Sequence, residues 1–149
     1  MRAVLQRTTQ ASVTCGDHHE SIGTGLVVLL GIEAADDASD VDWLAGKIAR
    51  MRVFGDDEGR MNRSVSEAGG GLLVISQFTL HACTRKGNRP SFIRAADPAH
   101  AEPLYQQFCH CLAEVSGCAV KQGVFGGDMK VSLVNDGPVT ILIDSRCRE

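Results

Sequence analysis

The stretch SLVNDGPVTILID, residues 132–144, places the tightest local constraint on how this chain folds. Two apolar runs rich in β-branched residues, Val131 to Val134 and Val139 to Ile143, flank Asn135, Asp136, Gly137 and Pro138. Asp-Gly between such runs is a hairpin signal, because glycine accepts the positive φ of a tight turn. Proline directly after it conflicts with that reading. It has no N–H to give a second strand, and it drives Gly137 out of the α region. The sequence therefore predicts strands at 129–134 and 138–144 joined by a turn for which Gly-Pro is an awkward choice on folding grounds alone.

Periodicity supplies the other elements. Residues 2–7 and 11–15 read as short strands, and 25–33 as a longer apolar one. Ser39 with Asp42 three residues on predicts a helix entry, and apolar positions 41, 44, 45, 48 and 51 extend that helix to about Arg52. Residues 55–62 are turn-rich, and the glycines at 69–71 read as a flexible loop. The nearly continuous apolar run 72–78 predicts a central strand. Asp97 and Pro98 open a second helix, with a buried stripe of Leu104, Tyr105, Phe108, Leu112 and Val115 and an end at Gly117. A strand at 118–125 follows. Strand-rich ends around two helices predict one layered α/β domain over residues 1–149, not a doubly wound parallel sheet.

Composition narrows the function classes. No apolar run approaches bilayer length, and the N-terminus lacks the long apolar stretch of a signal peptide, so a cytoplasmic protein with no membrane partner is expected. Six cysteines include no C-x-x-C pair and match no common zinc framework, so free buried or half-buried thiols are expected, with no metal and no cofactor. The net charge of −3 argues against broad nucleic-acid binding. Two local basic groups stand against that background: Arg85, Lys86, Arg89 and Arg94, and Lys47, Arg50 and Arg52. On an acidic chain they fit a focused phosphate contact.

Familiar catalytic constellations are missing: no G-x-S-x-G elbow, no phosphate loop and no H-E-x-x-H. A triad of Ser76 or Thr79 with His81 and Asp128 is poorly motivated. On a continuing strand, residues five apart face opposite sides. Catalysis is expected to lean on backbone groups or on the substrate.

Two short motifs remain, SQFTL at 76–80 and NDGPVT at 135–140. Together they resemble the paired signatures of the D-aminoacyl-tRNA deacylase family. The likeness runs essentially the whole chain, through MRAVLQR at the start, KGNRPSF at 86–92 and FGGDMKVSLVNDGPVT at 125–140. It implies a layered α/β domain with a mixed, barrel-like sheet and two main helices. It also implies hydrolysis of the ester joining a D-amino acid, or glycine, to the 3′ end of tRNA. The family forms a homodimer with active sites at the subunit interface, each receiving a cis Gly-Pro pair from the partner. Here that pair corresponds to Gly137 and Pro138.

The resemblance assigns roles residue by residue. Backbone amides at Phe78 and Thr79 hold the ester carbonyl, with Ser76 and Gln77 as supporting hydrogen-bonders. The ribose 2′-hydroxyl activates water, with Thr79 as nucleophile the alternative. Met129 lines the pocket, Arg7 orients the Gly-Pro turn, and Arg89 in the basic loop meets the tRNA 3′ end, where Phe92 is available to stack. Glycine lets the backbone approach the ligand and exclude an L side chain. Two rival readings are a nucleic-acid-binding module without chemistry and a general esterase.

Overall fold

A computed structural model of the chain describes residues 1–148. β1 (Arg2–Cys15) turns at Gly16 into β2 (His18–Ile22), and β3 (Gly25–Gly31) follows. Next come α1 (Ala38–Arg50) and a short ribbon of β4 (Phe54–Gly55) with β5 (Met61–Arg63). β6 (Gly71–Ser76) runs into a 3-10 turn at Phe78–His81. α2 (Pro98–Ser116), β7 (Val120–Gln122) and β8 (Lys130–Asp144) complete the order.

β1 organises the sheet. One of its edges pairs antiparallel with β2 and β3, and the other pairs antiparallel with β8 along nearly its whole length. β3 pairs in parallel with β6, and β6 in parallel with β7. β6 is thus the central strand that its apolar run predicts, with Leu72, Leu73, Val74 and Ile75 all buried. The sheet curls until its ends meet. His18 Nε2 lies 2.9 Å from the Gln122 carbonyl, and Lys121 pairs with Glu20 at 2.9 Å, so side chains across β2 and β7 nearly close the barrel.

Alternation along β3 and β6 sorts the core into two faces. Leu26, Val28, Leu72 and Val74 pack with Leu44 and Ile48 of α1 and Phe108 and Leu112 of α2. Val27, Leu73 and Ile75 turn the other way, toward Ala11 and Val13 of β1.

Several expectations are corrected. The two short N-terminal strands are one strand, with Thr9 as an extra residue between the pairs Thr8–Asn135 and Gln10–Val134. The Thr8 hydroxyl spans that bulge, accepting from the Gln10 N–H at 3.0 Å. The two C-terminal strands are also one. Gly137 sits at φ +133, and the chain bulges outward and continues in the same direction instead of reversing.

Asp37, not Ser39, caps α1. Its carboxylate accepts from the Ser39 N–H, and the Asp40 carboxylate accepts from the Asp37 N–H, completing the capping box two residues earlier than Ser39 and Asp42 imply. α1 ends at Arg50, and Met51 is already extended. α2 keeps its Asp97 cap and its left-handed Gly117. Val115 is 51% exposed, because the 3.6-residue period through Tyr105, Phe108 and Leu112 lands on buried Ser116. The glycines at 69–71 are not a loose loop. A Cβ on Gly25 would lie 2.0 Å from the Gly71 carbonyl oxygen, so these two backbones meet where β3 and β6 begin to pair. All six cysteines are free, and burial pushes the Cys109 thiol up to about 12; Cys147 is exposed, contrary to expectation.

A buried ionic knot ties the ends of the fold together. The Met1 ammonium contacts Asp36 Oδ1 at 2.5 Å and the Ser145 hydroxyl at 2.7 Å, and that hydroxyl donates to Asp40 at 2.6 Å. Met1 and Asp36 are both solvent-inaccessible as side chains. Removing one partner strands a buried charge, so Asp36→Ala is expected to lower unfolding free energy by about 3–5 kcal/mol. Urea denaturation of parent and variant measures this directly.

Candidate active site

The SQFTL motif sits where β6 leaves the sheet. Ser76 pairs with Leu30, and the Gln77 N–H donates to the Leu30 carbonyl at 2.7 Å. Gln77 then turns the chain into the 3-10 turn. The N–H groups of Phe78 and Thr79 are the first two of that turn, and neither has an acceptor among the described residues. Two neighbouring free donors at a strand end are suited to holding a carbonyl oxygen that gains negative charge. The Gln77 side-chain amide donates to the Thr79 hydroxyl and fixes its position. Phe78 is 57% exposed, and its ring meets Phe92 edge-on at 5.0 Å.

Arg2 anchors this turn, a role that no local sequence signal marks. Its Nη1 donates to the Leu80 carbonyl at 3.1 Å while its Nε pairs with Asp144 at 2.7 Å. Only the register of β1 against β8 brings Arg2 and Asp144 face to face. Met129 is half-buried and packs on the cluster containing Ile75, one residue before Ser76. A Cβ on Gly123 would lie 2.5 Å from the Met129 sulfur.

His81 lies beneath the turn with no exposed surface. It packs against Gly31, where a Cβ would come within 3.0 Å of the imidazole Cδ2. Neither ring nitrogen has a partner among the described residues. Asp128 is exposed and pairs with Lys130 at 3.0 Å. The serine–histidine–aspartate triad is therefore not assembled.

Gly137 and Pro138 lie on the outward bulge of β8, and the peptide bond between them is cis. Asn135 pairs with Thr8 and Thr140 with Gln6, so residues 136–139 stand opposite Arg7 alone. Arg7 Nε donates to the Asp136 carbonyl at 3.0 Å and lies 3.1 Å from its carboxylate, while Nη1 donates to the Val53 carbonyl at 2.6 Å. Asn135 closes the base of the bulge, accepting from the Val139 N–H at 2.8 Å and donating to the Thr140 hydroxyl at 3.0 Å.

Within one chain the structure brings Ser76, Gln77, Phe78, Thr79 and Met129 into one neighbourhood. It does not bring Gly137 and Pro138 to them. Arg2 touches the SQFTL turn and Arg7 holds the bulge, and five residues of strand span about 17 Å. Arg89 lies in the exposed segment 84–90, which is closed at its base by the Cys83–Ser91 bridge.

A family model described as D-Tyr-tRNA(Tyr) deacylase matches residues 4–144. The chain is 54% identical to a D-aminoacyl-tRNA deacylase of Flavobacterium johnsoniae and 55% identical to one of Porphyromonas gingivalis, each alignment covering all of both chains. The chain belongs to the D-aminoacyl-tRNA deacylase family. Membership places it among the ester hydrolases that act on aminoacyl-tRNA.

Solved structures share the fold. One described as a c-Myc DNA unwinding element binding protein superposes with a TM-score of 0.89 at 40% identity, covering 97% of this chain and 98% of that one. A probable eukaryotic D-amino acid tRNA deacylase matches with a TM-score of 0.81 at 20% identity, over 95% and 97% of the two chains, and speaks for the fold alone.

The SQFTL turn carries a pH dependence through His81. Burial holds its pKa below the ordinary 6.5. As pH falls through that unfolded value, the unfolded chain takes up a proton that the folded chain refuses, so stability declines toward acid. Melting temperature is expected to fall between pH 7 and pH 5. In His81→Leu that acid slope is reduced, and thermal melts of both proteins across this range test it.

Proposed function

We propose that this protein hydrolyses the ester of D-aminoacyl-tRNA at a composite site, with SQFTL from one subunit and Gly137-Pro138 from a second copy. The observation that carries this reading is the four-residue bulge opposite Arg7. It leaves Asp136, Gly137 and Pro138 exposed and held by Arg7, whereas Arg2, five residues along β1, touches the SQFTL turn. The edge of β8 supports the same arrangement. It is fifteen residues long, pairs only with β1 among the described residues, and exposes Val131, Val134 and Leu142, an apolar edge of the kind proteins keep covered.

Chemistry at the site follows from what the turn offers. The ester carbonyl oxygen accepts hydrogen bonds from the Phe78 and Thr79 N–H groups, which stabilise the negative charge that develops as water adds. The ribose 2′-hydroxyl takes the water proton while passing its own to the departing 3′ oxygen, which leaves as a hydroxyl. The carbon–oxygen bond to the 3′ position breaks, and a free amino acid and intact tRNA leave. Neutral, buried His81 plays no part as a base. The Phe78–Phe92 pair is an aromatic surface for the terminal adenine, and Arg85, Lys86 and Arg89, in the exposed segment closed by the Cys83–Ser91 bridge, supply charge for the flanking phosphates.

Chirality is read by exclusion. With no side chain at Gly137, the partner's main chain forms a wall that an L side chain strikes and a D side chain avoids. Glycine, which has no side chain to reject, is also a substrate. The biological role is clearance of mischarged tRNA in the cytoplasm. The DNA-element-binding description of one structural relative favours a second reading, a nucleic-acid-binding module without turnover.

Matched D- and L-aminoacyl-tRNAs, the same amino acid on the same tRNA, separate the readings. Rapid loss of the D form alone is expected; binding with no turnover of either form would establish the module instead. Thr79→Ala is expected to retain kcat within about tenfold, whereas loss of a true nucleophile costs about 10⁴-fold or more. Single-turnover kinetics decide between them. At Gly137 a Cβ would lie 2.7 Å from Val139 Cγ2 and 3.2 Å from Arg7 Nη2, at a φ that L residues rarely adopt. Gly137→Ala is accordingly expected to cut D-over-L discrimination about tenfold or more, about 1.4 kcal/mol of selectivity. Unchanged discrimination would remove Gly137 from the gate.

A further inference from the structure

On α1, Trp43, Lys47 and Arg50 follow one another at spacings of four and three, so they fall along a single stripe of the helix. Lys47 and Arg50 are exposed, and Trp43 is half-buried beside them. The stripe continues past the helix end into Met51 and exposed Arg52, and Met61 of β5, 58% exposed, faces it from across the ribbon. Together these residues line a groove of about 540 Å³ that contains three cations and no acid.

None of the three cations forms an ion pair among the described residues. Two acids border adjoining depressions, and both are engaged: Glu67 is held by the Ser64 N–H and hydroxyl, and Asp144 pairs with Arg2 at 2.7 Å. Leaving three neighbouring cations unpaired on a chain of net charge −3 concentrates positive potential in one place.

Position ties this groove to the active turn. Trp43, Lys47 and Met51 also border a second depression of about 430 Å³, whose far wall includes Arg2 and Leu80, the anchor and the penultimate residue of the turn. On its other flank, Arg52 precedes Val53, whose carbonyl receives Arg7, the residue that holds the Gly-Pro bulge. The Trp43 ring already carries the Arg148 guanidinium over it at 4.4 Å, so it is the cations, on a path that ends at the SQFTL turn, that match the phosphates of a phosphodiester chain.

We propose that this groove binds the phosphodiester backbone of the tRNA acceptor arm, with Lys47, Arg50 and Arg52 on its phosphates while the charged 3′ end reaches Phe78 and Thr79. The proposal rests on tRNA being the substrate, and it adds a site of RNA contact separate from the loop around Arg89.

The experiment uses the full-length protein and a variant carrying Lys47→Gln, Arg50→Gln and Arg52→Gln. Binding of uncharged tRNA is measured across a salt series. Affinity at physiological salt is expected to fall about tenfold or more, and the slope of log affinity against log salt by about 2 to 3. Turnover supplies a second readout. The ratio of kcat/KM for D-aminoacyl-tRNA to that for 3′-O-D-aminoacyl-adenosine, which has no phosphates, is expected to fall about tenfold.

A variant that melts like the parent and keeps the parent's tRNA affinity and salt slope would overturn the groove. So would an equal loss on the tRNA and on the adenosine ester. If the parent hydrolyses neither ester but the variant still binds tRNA more weakly, the deacylase reading fails and the groove stands. Should the triple variant not fold, Lys47→Gln alone is read the same way, with an expected slope change of about 0.7 to 0.9; no change would count against the groove.

Discussion

Arg7 of β1 holds together the parts of this structure that depart from a regular sheet. Opposite it, four residues of β8 occupy the space of one. An unsupported excursion of that size would leave main-chain polar groups unpaired and the bulge free to shift register. The guanidinium prevents both by bonding the Asp136 carbonyl on one side and the Val53 carbonyl on the other. Asn135 closes the base through its own amide. The exposed Gly-Pro backbone is therefore set by strand pairing that extends for several residues on either side.

β1 can bear this load because both its edges are satisfied. β2 and β3 share one edge, and β8 covers the other. The same strand places Arg2 under the SQFTL turn and Arg7 under the Gly-Pro bulge. One rigid element thus fixes the separation of the SQFTL turn and the Gly-Pro bulge within the chain. Rigid elements position reacting groups more accurately than loops do. The turn itself is supported from below by His81, a neutral ring filling space that Gly31 leaves open.

Local signals in the sequence were read well where the physics is local. The Asp97 cap, the Pro98 start and the Gly117 stop of α2 each depend on a few neighbouring residues, and all three stand as read. The buried run at 72–75 marked the central strand because parallel pairing on both sides leaves no polar face. Errors came where a distant partner decides. Ser39 and Asp37 are both competent caps, and the choice fell to Asp37 once Asp36 was drawn into the buried knot with Met1. Val115 is apolar enough for the stripe, yet the face that α2 buries through Tyr105, Phe108 and Leu112 places Ser116 inside, its hydroxyl bonded to the Leu112 carbonyl.

By itself the sequence singled out SQFTL and Gly137-Pro138 as the two motifs that carry the resemblance to the family. It also determined the family, since both motifs occur in order along a chain that matches over its whole length. Only the tertiary structure decided that Gly-Pro rides on one unbroken strand and not in a hairpin. Turn and bulge use the same residues, and they differ in whether β1 continues alongside. That is a pairing between positions more than 120 apart in the chain (Arg7 against 136–139), which no local preference specifies. The distance between the two motifs within one chain was decided in the same way, by how far apart Arg2 and Arg7 lie along β1.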